Sequence, residues 1–436
     1  MREKTMHGPA RSESAKSEKF RRRRDLIQNL LISLLSVSAV LLFTRTQLYN
    51  LDASGTVDSL FSSSVQSTQG DIAAAELSVP VRIVVSGTYG RYGNTALTTA
   101  DDSYTPLRTL LSEVLGSAGR FSDCTRPEFL SALSESSVFY DFLNPLPLSL
   151  VSDLSGIRAN DDSPVRRLIV AEQQSGVTLY LWDGADAYRC CTTAVSPENL
   201  EEVISRYELG STRFAADLAG PTGTSPDPMS ILPDPLPALP ILSPSYSAAD
   251  HKLLLSALQY NPNTNNRYTE SDGTEVILDG DRTLRIQPDG RIDYQGGSDA
   301  SLTVSADASI RLIDAISGTK ALLNALLASQ SGNADLYLTD VSAVRSHTVL
   351  TFAYQFGGVP ICLAGDVPAA RVELEENAVL SLTLQLRQYT AAEETSLLLP
   401  LTQSMAIAAR HPGEELSIGY ADNGSAAIPA NWMIHR

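Results

Sequence analysis

The chain is 436 residues long, 43% hydrophobic and net −17, which is enough apolar chain to build more than one core. Residues 1–24 hold nine Lys/Arg against three Asp/Glu and carry +6, so residues 25–436 carry −23 and contain only two lysines, Lys252 and Lys320. An acidic, lysine-poor surface excludes nucleic acid, whose binding takes clustered cations; it leaves cationic partners or plain solubility.

Taken in chain order, the first feature is RRRRDLIQNLLISLLSVSAVLLF, Arg21–Phe43. Its apolar part, Leu26–Phe43, would reach about 27 Å as a helix, close to the ~30 Å core of a bilayer. Arg45 stands where a cleavage site would want small neutral residues, which favours an uncleaved anchor over a signal peptide. A buried core helix fits poorly with a tetra-arginine flank. The expected layout is therefore a basic tail (1–24), a transmembrane helix (25–45) and a Ser/Thr-rich tether (46–77). The positive-inside rule puts the tail in the cytoplasm and the rest outside, a single-pass protein of the cell membrane. Ser33, Ser36, Ser38 and Ala39 are small enough to let another helix pack closely; Ser36 and Ala39 share a face.

Residues 78–218 read as an α+β region. VPVRIVVSG is a Val-rich strand, and Leu107, Leu110, Leu111, Val114 and Leu115 have the spacing of an amphipathic helix. Thr125 and Ser196 are N-caps, each followed by a first-turn proline and glutamate. RRLIVAEQQSGVTLYLWDG reads as a hairpin. Residues 221–244 carry eight prolines, too many for a helix or central strand, and give a connector over 219–245. Two helix-plus-sheet modules are expected after it, over 246–368 and 369–436. The first opens on three Asp-Gly turns (Asp272-Gly273, Asp279-Gly280, Asp289-Gly290) and contains a long helix at 309–329. The second has a helix at 398–411 and closing strands that turn at Asp422-Asn423-Gly424. The whole is expected to be α+β, with two PepSY-like modules of a helix on an antiparallel sheet.

Signs of chemistry are few. Ser317-Gly318-Thr319-Lys320 matches the S-x-x-K of penicillin-recognising serine enzymes, yet no S-D-N or K-T-G accompanies it and Ser317 falls inside the expected helix. His251, His347, His411 and His435 form no HExxH. Cys124, Cys190, Cys191 and Cys362 show no zinc spacing; Cys190 and Cys191 are poorly placed to bond each other, and one of them could pair with Cys124. The acidic turns lack the spacing of a calcium loop. No catalytic, metal or cofactor residue is expected.

Four stretches carry a resemblance: TESDGTEVILDGDRTLRIQPDGRIDY, HTVLTFAYQFGGVPI, VELEENAVLSLTLQLRQY and SIGYADNGSAAIPANWMI. With the N-terminal layout and SSVFYDFLNPLPLSLVSDL, their order resembles the YycH/YycI-type regulatory proteins of the WalK/WalR (YycG/YycF) two-component system. The Pro-rich connector and the Cys190-Cys191 pair depart from that pattern. The resemblance implies a non-catalytic, membrane-anchored regulator outside the cytoplasm. Its partner would be a sensor histidine kinase controlling cell-wall metabolism, met through the membrane helix and the outer domains, with a second YycH/YycI-type protein as a further partner. The alternatives are an exported ligand-binding or peptidase-inhibitor module of PepSY type and, behind it, an exported wall hydrolase.

Overall fold

Strands of the N-terminal half carry buried residues at consecutive positions, not only at every second one. Val81–Gly87 is buried along nearly its whole length, as is Gly176–Trp182. A strand buried on both faces needs cover on both sides, and the computed structural model shows that cover. The structure describes residues 81–97, 104–157, 161–218, 226–245, 251–261, 266–297, 302–307, 310–327 and 331–435, all within one unit, Gly70–Arg436.

The strands of the first half are β1 (Val81–Gly87), β2 (Gly90–Leu97), β3 (Ser122–Asp123), β4 (Ser137–Pro147), β5 (Pro164–Gln173), β6 (Gly176–Trp182), β7 (Tyr188–Thr192), β8 (Thr212–Phe214) and β9 (Ile231–Pro233). They form a nine-stranded sheet in the order β3-β7-β6-β5-β4-β1-β2-β8-β9. On one face Ile83, Val85, Tyr140, Leu168 and Val170 pack against the helices Thr105–Gly116 and Pro197–Ile204. On the other, Val84, Phe139, Ile169 and Tyr180 pack with Phe129, Phe214, Met229 and Ile231. The expected caps are in place: Thr125 and Glu128 make a reciprocal capping box, and the Ser196 hydroxyl accepts from the Asn199 N–H at 3.2 Å.

The second half contributes β10 (Pro240–Ser245), β11 (Arg267–Thr269), β12 (Glu275–Asp279), β13 (Arg282–Ile286), β14 (Arg291–Gln295), β15 (Asp335–Val344), β16 (His347–Phe356), β17 (Val359–Leu363), β18 (Ala370–Glu375), β19 (Ala378–Gln385), β20 (Gln388–Thr395), β21 (Glu415–Asp422) and β22 (Ala430–His435). Eleven of these make one sheet, β11-β12-β13-β14-β19-β18-β16-β17-β21-β22, with β15 also on β16; β10 and β20 pair separately. The Asp-Gly sites are turns of the β11–β14 meander: Asp272 Oδ1 accepts from Thr274 N at 2.9 Å and Asp289 Oδ1 from Arg291 N at 3.1 Å. The Pro-rich stretch supplies β9 and β10; Pro233 sits on the edge strand of the first sheet, and Pro240 and Pro244 sit in a two-stranded ribbon, where a missing N–H is tolerated.

The fold class expected from the sequence needs correction. Of the described residues, strands take 44% and helices 24%, so the protein is mostly β rather than α+β. The two PepSY-like modules are not separate either, because β14 pairs with β19 along Arg291–Gln295 and Gln385–Ser381. That ladder carries one sheet straight across residue 368. One hydrophobic core runs from Val81 to Ala430 through both halves. Helix-then-strands repeats are visible locally, but a ladder between strands ninety residues apart has no local signature.

The membrane location is corrected as well. Among the described residues no helix is long and apolar enough to cross a membrane; Leu312–Leu327, at 16 residues, reaches about 24 Å. The expected single-pass placement at the cell membrane is therefore withdrawn. The 25–45 segment, with Ser33, Ser36, Ser38 and Ala39, lies outside the described residues.

Gly318, inside Leu312–Leu327, shows how closely that helix is seated. An added Cβ would lie 2.1 Å from the Val304 carbonyl oxygen. Gly-to-Ala in a helix normally gains about 1 kcal/mol. Here Gly318→Ala is expected to lose about 1–3 kcal/mol, read as a lowered melting temperature.

Candidate functional site

Four neighbouring strands place a row of unlike residues side by side. Arg82 on β1 faces Asp141 on β4, Asp141 faces Arg167 on β5, and Arg167 faces Trp182 on β6. Residues directly opposite across antiparallel strands share a face, so the row continues the Val84–Phe139–Ile169–Tyr180 face to the end of the sheet. The β1–β2 ladder shifts register between Val81 and Ile83, and the β4–β5 ladder between Asp141 and Leu146. Leu143 there takes φ +67°, held by its N–H donating to Asp141 Oδ1 at 2.9 Å. Such irregularities turn side chains out of the regular pleat.

Arg167 is the centre of this row and is fully buried. It donates to Asp141 Oδ2 at 3.1 Å, Asp227 Oδ2 at 2.5 Å and Glu415 Oε2 at 2.9 Å. Its guanidinium lies 4.8 Å from the Trp182 ring centroid, a cation–π contact. Arg82 and Arg166 both bond Glu415 too. Three arginines and three carboxylates thus cancel inside the protein, as buried charges must. Burial alone would push the Glu415 carboxyl up, but Arg82, Arg167 and Arg166 outweigh it and hold it well below the usual carboxylate range. Burial likewise opposes charge on Arg167, and Asp141, Asp227 and Glu415 reverse the effect.

This network joins the two halves. Asp227 lies between β8 and β9 of the first sheet, and Glu415 opens β21 of the second. Backbone bonds reinforce the joint: Asp227 N donates to Glu414 O at 2.7 Å, and Leu416 N donates to Ser230 Oγ at 3.0 Å.

Two cavities flank the network, and Arg82 lines both. One, of about 400 Å³, has a mixed lining that includes Arg166, Cys362, Asp366, Glu415 and His435. Burial pushes the His435 imidazole down, and Glu415 only partly restores it, so it is neutral at pH 7. Burial, with Asp366 beside it, pushes the Cys362 thiol up. A protonated thiol is a poor nucleophile, so this Cys/His pairing is not poised for attack. The other cavity, of about 250 Å³, is apolar; Ile231, Pro233, Leu239, Val359 and Ile418 line it together with Ser417.

The residues singled out from the sequence are scattered. Ser317 donates its hydroxyl back to Ile313 O at 2.8 Å, as an ordinary mid-helix serine does. His251 lies 3.4 Å from Glu275 and His411 3.1 Å from Glu414, both at the surface. Cys124 and Cys190 do meet: β3 pairs with β7, and burial together with Cys190 pushes the Cys124 thiol up to about 12. Among the described residues no group of three or more His, Cys, Asp or Glu could hold a metal ion. The ionic row was missed, although the sequence carries a trace of it. VPVRIVV, FYDFL and VRRLIV each put a charge inside an otherwise apolar strand, which a folded protein tolerates only where a partner waits.

No family model, curated protein or solved structure matches this chain.

Proposed function

We propose that the chain is a non-catalytic regulatory protein that works by binding, and that the partner it regulates is a sensor histidine kinase controlling cell-wall metabolism. The reading rests on one structural observation. At the junction of the two sheets the charged side chains neutralise one another and brace the body, while the space beside them is cavity. Catalytic groups need to change protonation near the working pH, whereas Glu415 and Arg167 are held away from that range in opposite directions. Binding sites favour such junctions between halves of a fold. The kinase enters through the order of the four resembling stretches, which lie on β11–β14, β16–β17, β18–β20 and β21–β22.

A regulator changes a kinase only if it binds two of its states unequally. The test is autophosphorylation of the purified full-length kinase in lipid nanodiscs, with and without the full chain. A saturable change of about fivefold or more in rate is expected. A rate unchanged at saturating chain would remove the kinase from this reading.

A further inference from the structure

The apolar cavity beside Arg82 has features that a mere packing gap lacks. Ser417 is 6% exposed, lines the cavity, and its hydroxyl has no hydrogen-bond partner in the protein. A buried hydroxyl normally finds a partner, and an exception calls for one. Arg82 lines the same space. Its guanidinium bonds Glu415, which Arg166 and Arg167 also bond; Asp141, the cross-strand neighbour of Arg82, bonds Arg167 and lies 3.7 Å from Arg166. Three guanidinium groups thus draw on the one carboxylate that Arg82 bonds. The remaining wall is hydrocarbon: Ile231, Pro233 and Leu239 from the Pro-rich stretch, Val359 and Pro360 from β17, and Ile418 from β21.

We infer that this cavity binds a small apolar monocarboxylate, with its hydrocarbon body among the Pro-rich stretch and β17 and its carboxylate on Ser417 Oγ and Arg82. The volume of about 250 Å³ equals that of about eight waters at ~30 Å³ each, the size of a medium-chain acid. A charged acceptor suits the site better than a neutral one, because guanidinium-to-carboxylate hydrogen bonds are the stronger kind. The inference stands independently of the kinase reading, since it concerns a ligand and not the partner.

A diazirine-bearing octanoate, photolysed with the full chain and mapped by peptide mass spectrometry, tests it. Labelling is expected in peptides covering 231–239 and 357–360, competed by octanoate and competed about tenfold less well by octanol. Ser417→Ala is expected to weaken octanoate competition about fivefold, and Leu239→Trp, which fills the cavity, to abolish labelling. Labelling confined to other segments, or undiminished in folded Leu239→Trp, would overturn the site. Equal competition by octanol, or an unaltered Ser417→Ala, would overturn the carboxylate assignment.

Discussion

Arg167→Met is expected to lower the free energy of unfolding by about 3–5 kcal/mol, measured by urea titration. The side chain is fully buried and, among the described residues, is the one group that bonds all three carboxylates of the junction. Methionine fills much of the volume but leaves Asp141, Asp227 and Glu415 sharing only two guanidinium groups. Removing one partner of a buried set costs far more than the intact set contributes, because the charges left behind stay desolvated. Arg206→Ala is the control: its pair with Glu202 is solvent-exposed on both sides, and the change should stay within about 0.5 kcal/mol. A loss of similar size in both variants would mean that the junction is far wetter than it looks.

Acid should loosen the same joint. The three arginines hold the folded Glu415 carboxyl well below its ordinary range, whereas in the unfolded chain it titrates near 4.3. The unfolded state therefore binds a proton that the folded state refuses. The stabilisation is complete above that ordinary value and is lost as pH falls below it toward the folded value. Between those two values Glu415 alone contributes a slope approaching about 1.4 kcal/mol per pH unit. Glu415→Gln, although less stable at neutral pH, should show a pH dependence flatter by that amount when urea midpoints at about pH 3 and about pH 4 are compared. An unchanged slope would mean that Glu415 titrates alike in both states. Exposed carboxylates such as Glu128 and Asp272 are also shifted down, by the capping and turn hydrogen bonds they accept; they remain in both proteins and cancel in the comparison.

Much of the local structure was legible because its causes are local. Thr125, Ser196 and the Asp-Gly pairs act within four residues of themselves, and so does the Leu spacing of Thr105–Gly116. The long helix expected at 309–329 is found at Leu312–Leu327. What was not legible is which strands meet. Nothing in RIDYQ or SLTLQ says that Tyr294 will face Leu382, and without that pairing the second half looks like two modules. The junction was illegible for the same reason. Arg82, Asp141, Arg167, Asp227 and Glu415 are spread over 333 residues of chain, and only folding shows that these isolated charges are one cluster.

That spread also sets an order of events during synthesis. Glu415 emerges 333 residues after Arg82, a delay of roughly 17–67 s at about 5–20 residues per second. Until then the first sheet holds its arginines without the carboxylate that three of them share, and its exposed flank is cationic in an otherwise acidic nascent chain. The first sheet's arginines therefore wait for β21 before the junction can be completed. A chain that stops short of β21 lacks Glu415 and leaves the three arginines of the junction with Asp141 and Asp227 alone.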